Sequence, residues 1–593
     1  MVAPDVRPVL PGAAAAADAR RFVLPRRARG PRLRRRRLAV YDRAVAPGID
    51  LQLLGLRAAS LPLTLIVLMV LAVPVALPSA AVELGRLPTC RRRDALFAAA
   101  LFAVALALRT ALGSHALIHE NHHGYRYLAW SSALNVLADA HGVPSAHLVL
   151  VRLAGGGDSG AFALGAVLSA VAAVALAAYT AQVTRSRLAG AAAGALLALQ
   201  PLAIALATTE EFMVSASALC LAGVALLHVG AARGLRATTA LGVLCLSLAA
   251  CAREITLPLA ALAVPAMLSA RRPDGTTPWR ATAAVVAAMT ALLLPQAARV
   301  VAAWRALPST PGYMGAPNLP WSDGMHRNAA WVGWMEPYIP RAEGWAMVLA
   351  LAALVAWSLR TKDARLALGA AVVPLIALAQ GGLVRTGWFP TGLRHQLLSM
   401  AMLLIPVGWA VAAGAARLPP TWRRGALAAV VALAAVALWR RPAGYRIDAP
   451  HTREYRFFHD ALATLPADGS VVEFSDEPLP HVGAGWVRAQ RPRWGAVDAA
   501  ALSREPPPGP LFLLLDRVCF VDPARFEGTA RPGSVVPRAT PFGRMLPECA
   551  DALAALPWRT VAMRSISRAT PRTYDIPSTD PVAHLAILRW DHP

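Results

Sequence analysis

Apolar runs long enough to cross about 30 Å of hydrocarbon recur from about residue 51 to residue 440, and no other feature constrains the fold of this 593-residue chain as strongly. Lipid offers the backbone no water to bond to, so such runs fold as helices that satisfy their own amides. Spans are expected at approximately 94–114, 160–182, 188–208, 212–230, 237–252, 255–270, 281–304, 344–360, 364–383, 396–416 and 425–440. Another lies within 51–82, where Pro62, Pro74 and Pro78 leave open one crossing or a re-entrant hairpin. The expected fold is an α-helical polytopic membrane protein of about 11–13 transmembrane helices with a C-terminal extracytoplasmic α/β domain.

Charge sets the orientation. The formal net charge is +25, but the arginines sit in short loops between apolar runs and in the first fifty residues, not on one domain. That distribution follows the positive-inside rule and argues against a nucleic-acid partner. The loops holding Arg91 to Arg93, Arg185 and Arg187, Arg233 and Arg236, Arg271 and Arg272, Arg360 and Lys362, and Arg423 and Arg424 all land on one side, expected to be cytoplasmic. Outward then face 115–159, the turns at 208–211 and 253–254, 305–343, 384–395 and the tail. Residues 1–50 read as a basic, disordered arm, 51–440 as the multi-span domain and 441–593 as the extracytoplasmic domain. The setting is the plasma (inner) membrane, crossed many times.

The tail alternates a helix-like segment at 454–465 with apolar runs at 470–474, 511–515, 560–563 and 584–590, a pattern of short strands and helices. Outside the cell Cys519 and Cys549 would meet oxidising conditions with no competing tail cysteine; the alternative is two buried thiols. Cys220, Cys245 and Cys251 lie in apolar spans and read as small buried hydrophobes.

Candidate chemistry begins with LIHENHHGYRYL at 117–128, which sets Glu120 among histidines and near Arg126 where an apolar span ends. A carboxylate partly desolvated there gains a pKa suited to a general base; the alternative is an ordinary solvated loop acid. Glu210 and Glu211 follow in a second outward turn, where helix capping is the alternative role. Arg253 and Glu254 interrupt an apolar stretch, marking a sharp turn or a polar cavity. Arg385, Arg394 and His395 precede another span; an arginine there grips a phosphate or snorkels to the interface. The loop 305–343 collects Tyr313, Trp321, Asp323, His326, Trp331, Trp334, Glu336 and Tyr338, either an aromatic belt or a surface that stacks on sugar rings. With Tyr125 and Arg126, its Trp321, Asp323, His326 and Trp334 form the candidate substrate loop.

The order CRRRDAL, LALRTALGSHALIHENHHGY, LQPLAIALATTEEF, CAREITLPL and WFPTGLRHQLLSMAMLLIP, over roughly residues 90 to 420, resembles the GT-C superfamily of membrane glycosyltransferases. It is similar in particular to the branch of protein mannosyltransferases, aminoarabinose transferases and RgtA-type lipopolysaccharide sugar transferases. The superfamily presents an Asp-Glu pair on its first outward loop; His119-Glu120 stands there in this chain, so the resemblance gives Glu120 the catalytic role. It makes Glu210 or Glu211 a second acid and sets Arg394, His395 and Arg253 on the phosphate of a polyprenyl-phosphate sugar donor. A divalent metal is a possible cofactor by the same resemblance, although no DxD-like pair is present.

Two readings compete. His119-Glu120-Asn121-His122-His123 satisfies H-E-x-x-H, the zinc-protease signature in which His119 and His123 would bind metal from one helix face; no third-ligand motif follows. A transporter, or a ligase or polymerase of lipid-linked glycans, is the other.

Overall fold

The computed structural model describes residues 61–87, 92–119, 123–131, 145–306, 341–383, 392–439, 447, 449–475, 481–502, 509–520, 536–567 and 582–591. Glu120, the N-terminal arm, Arg385 and the loop residues Tyr313, Trp321, Asp323, His326, Trp331, Trp334, Glu336 and Tyr338 lie outside them.

Among the described residues seven helices are long and apolar enough to cross a membrane: Leu61–Gly85, Arg92–Leu112, Gly157–Val183, Phe212–Arg233, Trp279–Val301, Gly344–Thr361 and Leu397–Ala416. A bent pair, Arg187–Ala198 and Pro201–Ala207, makes an eighth if taken as one span. Over the described residues the first expected span is one helix, Leu61–Gly85, of 25 residues with Pro74 and Pro78 inside it. At 1.5 Å per residue it reaches about 37 Å, enough for a single crossing. Helices also occupy the shorter expected spans, at Arg236–Ala250 and Pro420–Trp439.

Three expected spans depart from regular α-helix, each at an identifiable place. The span expected at 188–208 bends by 53° between Ala198 and Pro201. Pro201 has no amide to continue the ladder, and Gln200 starts a new helix by accepting the Ala203 N–H at 2.6 Å. The span expected at 255–270 is a 3₁₀ stretch, Glu254–Leu262, containing Pro258, followed by the short helix Ala263–Leu268. The one expected at 364–383 passes through a π-helical turn at Ala367–Val372, where Gly369 fits between Val183 and Ser269.

Phe212–Arg233 lies at the centre of the bundle and is buried along most of its length. It packs on Arg236–Ala250 backbone to backbone: a Cβ on Gly223 would come within 2.8 Å of the Leu246 amide. The outward loop expected at 115–159 is not irregular throughout, because it holds the helices His123–Ser131 and Ser145–Leu153.

The tail folds as an α/β unit. Strands β1 (Gly469–Glu473), β2 (Trp494–Asp498), β3 (Leu511–Leu515), β6 (Arg559–Ser567) and β7 (Val582–Trp590) form a sheet in the order β2-β1-β3-β7-β6. β1 is parallel to β2 and β3, while β7 runs antiparallel to both β3 and β6. β4 (Arg538–Thr540) and β5 (Gly543–Met545) form a separate ribbon. The central strand β3, LFLLL, is buried at every position, as expected of a strand covered on both faces. One face packs on the helix Pro450–Ala463, and the other holds the Cys519–Cys549 disulfide, with Cα atoms 5.7 Å apart.

That first face also carries residues of the membrane domain, so one apolar cluster joins Leu117, Tyr125 and Leu128 to Tyr455, Phe458 and Trp486. Asp158, at the start of Gly157–Val183, fixes the contact: its buried carboxylate accepts the Tyr455 hydroxyl at 2.8 Å and the Trp486 indole N–H at 2.9 Å.

Candidate functional site

Four segments far apart in sequence meet at one end of the bundle, opposite Arg92, Arg185 and Arg187. The span Arg92–Leu112 ends beside the segment Gly113 to His119. The half-helix Pro201–Ala207 ends in the turn Thr208 to Glu211. Arg236–Ala250 leads to Arg253, and the short helix Gly392–His395 carries Arg394 into the span Leu397–Ala416.

Glu210 is the hub. Its fully buried carboxylate accepts the backbone N–H groups of Ile118, at 2.9 and 3.0 Å, and of His119, at 3.0 Å, and it lies 2.6 Å from His119 Nδ1. Burial pushes its carboxyl up to about 7 even though those amides and Arg394 favour the ionised form. Gly124 makes room for it, since a Cβ there would stand 2.5 Å from Glu210 Oε1.

Glu211 has one oxygen for structure and one for the site. Oε1 caps the helix Phe212–Arg233 at the Met213 N–H, 3.0 Å away. Oε2 faces Arg394 Nε at 3.2 Å and His119 Nε2 at 3.8 Å. Burial raises this carboxyl to about 7 as well, opposed by Arg394. Burial, reinforced by the charges of Arg394 and Arg253, holds the His119 and His395 imidazoles well below their ordinary value, so both are neutral at pH 7. A neutral His119 donates its Nδ1–H to Glu210. Its Nε2, buried and without a hydrogen-bond partner, turns to Glu211.

Arg253 stands over the Phe212 ring, 5.2 Å from its centroid, and the His395 ring lies 5.8 Å from that same ring. Thr256 holds the turn: it accepts the Arg253 amide at 3.0 Å and donates to the Arg253 carbonyl at 2.7 Å. Two guanidinium groups and two neutral imidazoles thus surround a pair of carboxyls of raised pKa, and such perturbed groups mark functional sites.

The expected site residues Glu210, Glu211, Arg253, Arg394 and His395 are therefore neighbours. Tyr125 takes a different place: it is buried against Trp486, 4.9 Å between centroids, with its hydroxyl 3.4 Å from Glu454 Oε1, so it joins the two domains. Arg126 lies over Trp130 at 5.2 Å. Of the alternative metal pair, His119 lies in a segment without regular secondary structure and its Nδ1 is 2.6 Å from Glu210, whereas His123 opens the helix His123–Ser131; residues 120–122 between them lie outside the described residues.

Sequence reasoning missed Arg109, Asp158 and His147. Arg109 and Asp158 were charges within apolar runs, the one signal available. His147 lies on Ser145–Leu153 and bonds Ser215 Oγ at 2.9 Å, a pairing no local pattern announces.

Fold and site together define a multi-pass helical membrane protein that keeps a buried acid–arginine centre at one end of its bundle and an α/β domain docked beside it. The chain is similar to the crystal structure of ArnT from Cupriavidus metallidurans in the apo state, with 13% identity over 84% of this chain and 97% of that chain and a TM-score of 0.46. It is also similar to that protein's structure bound to undecaprenyl phosphate, with 15% identity over 76% of this chain and 97% of that one and a TM-score of 0.44. No protein-family model and no curated protein matches the sequence.

Proposed function

We propose that this protein is a GT-C-type glycosyltransferase that moves a sugar from a polyprenyl-phosphate donor to the hydroxyl of an extracytoplasmic acceptor, a lipid, glycan or protein, at the plasma membrane. The observation that supports it is the convergence of Glu210, Glu211, Arg253 and Arg394 at one end of the bundle. Arginine forks suit the phosphate that leaves, and the buried setting strengthens every charge interaction around it.

In the reaction an acceptor O–H gives its proton to Glu120 while its oxygen attacks the anomeric carbon. The bond from that carbon to the phosphate oxygen breaks, and its electron pair leaves with the polyprenyl phosphate, whose charge Arg394 and Arg253 stabilise. One displacement inverts the anomeric centre. Glu210 holds the backbone of Ile118 and His119, the two residues before Glu120 in the sequence. Trp321, Asp323, His326 and Trp334 remain the candidate substrate loop. The disulfide agrees with an oxidising compartment for the C-terminal domain.

Mass spectrometry of polyprenyl-phosphate sugars, in membranes with native protein, with Glu120→Gln and without the gene, tests the proposal. One lipid-linked sugar should accumulate in both altered strains, and transfer by Glu120→Gln should fall by about 10²–10⁴-fold. Unchanged lipid-linked sugars in all three membranes would rule the reading out.

A further inference from the structure

Arg109 lies in the last turn of the span Arg92–Leu112 and is fully buried. Among the described residues no carboxylate pairs with it. Its guanidinium is spent on oxygens instead: Nε donates to Ser169 Oγ at 2.6 Å, Nη1 to the Ala105 and Ala198 carbonyls at 3.0 Å each, and Nη2 to the Leu197 carbonyl at 3.2 Å.

Leu197 and Ala198 end the first half of the bent helix pair. In an unbroken helix the Leu197 carbonyl would accept from the amide of residue 201, and Pro201 has none. The partner of Ala198 would be Leu202, beyond the bend. Gln200 N–H reaches the Leu197 carbonyl in a tighter turn at 3.2 Å, and Arg109 takes the remaining capacity there and at Ala198. A cation is favoured at this carbonyl end of the helix dipole. Arg109 thus supplies the donors that the bend removed.

Past the bend, Pro201–Ala207 leads straight to the acidic turn. The segment after Arg109 is fastened along it: Ser114 Oγ donates to the Ala205 carbonyl at 2.7 Å, the His115 N–H to Thr208 Oγ1 at 3.0 Å, and Ile118 and His119 to Glu210. We propose that Arg109 is a positioning residue that stabilises the break before Pro201 and thereby aims Glu210 and Glu211 into the site. Its effect on catalysis rests on the transferase reading; its effect on the break does not.

The test uses purified full-length protein with Arg109→Gln, Arg109→Lys, Pro201→Ala and the Arg109→Gln/Pro201→Ala pair, each checked for a folded melting transition. Backbone hydrogen–deuterium exchange over 199–211 should rise in Arg109→Gln while that of Phe212–Arg233 stays put. Transfer should lose about 10²-fold in kcat with the donor KM within about twofold. Arg109→Lys, which keeps the charge without the fork, should recover part of kcat and carries the test if Arg109→Gln does not fold. Pro201→Ala gives Leu197 an amide partner, so adding Arg109→Gln to it should cost little more. Unchanged exchange over 199–211 in folded Arg109→Gln, or fully additive losses in the pair, would overturn the proposal. If the native protein transfers no sugar from any polyprenyl phosphate, the transferase reading fails and exchange alone still decides the role of Arg109.

Discussion

Arg394 Nε lies 3.2 Å from Glu211 Oε2, joining the turn ahead of the helix Phe212–Arg233 to the one ahead of Leu397–Ala416. Glu211 is fully buried and Arg394 nearly so, and removing one partner of such a pair strands the other charge at a cost of about 3–5 kcal/mol. Arg394→Ala should therefore lower the melting temperature and abolish transfer. Arg394→Lys should retain most of the stability and raise the donor KM by about tenfold, because a lysine lacks the bidentate fork. Melting curves and donor-titration kinetics separate the two effects, and equal KM in native and lysine enzyme would remove Arg394 from the donor phosphate.

The pH dependence follows from Glu210 and Glu211, both raised by burial from an ordinary 4.5 to about 7. A carboxyl raised on folding contributes stability that is complete below about 4.5 and is lost as pH rises through about 7. Transfer runs the other way: ionised Glu211 holds Arg394 and ionised Glu210 accepts the loop amides, so the rate should fall on acidification below about 7. Glu211→Gln should make that fall shallower. A rate–pH profile that is flat from 5 to 8 would contradict this account.

Asp158 sets the seating of the C-terminal domain. Asp158→Ala leaves the Tyr455 hydroxyl and the Trp486 indole without their acceptor, at about 1–3 kcal/mol for each buried donor. Limited proteolysis of detergent-purified protein should then cut faster in the stretch joining the helix Pro420–Trp439 to the tail. Equal cutting rates would show that the apolar contact around Trp486 suffices alone.

His481 carries a separate pH signature within the tail. Burial opposes its charge, but Asp516 at 3.0 Å from Nδ1 and Glu548 at 3.0 Å from Nε2 carry its pKa up to about 9. Its stabilisation is complete below about 6.5 and is lost as pH rises through about 9; the shift of about 2.5 corresponds to roughly 3 kcal/mol. Tryptophan-fluorescence unfolding of the native protein should weaken between pH 7 and 10, and His481→Gln should flatten that slope.

The neighbouring disulfide gives a chemical readout. Maleimide mass-tagging of unfolded protein without reductant should spare Cys519 and Cys549 and label the other four of the six cysteines, Cys90, Cys220, Cys245 and Cys251. Replacing both paired cysteines by serine should cost about 2–4 kcal/mol.

Local pattern by itself determined much of this protein. Apolar runs located the helices from Arg92–Leu112 to Pro420–Trp439 within a few residues, because the lipid requirement acts on every residue of a span. Short apolar stretches marked β1, β3, β6 and β7 in the same way, while the half-exposed β2, WGAVD, offered no such run. Glu210, Glu211, Arg253 and Arg394 were visible as charges at span ends. Tertiary structure alone decided how they combine: that Glu210 takes the loop amides, that Glu211 faces Arg394, that His119 is tied to Glu210, and that Tyr125 joins the two domains. Arg109 was legible only as a charge in a span, since its partners include Ser169 Oγ sixty positions on and, at the bend before Pro201, the Leu197 and Ala198 carbonyls about ninety positions on. Periodicity reports what one stretch of chain does with its own backbone and solvent, whereas a buried polar group is defined by partners that only the folded chain brings within hydrogen-bonding distance.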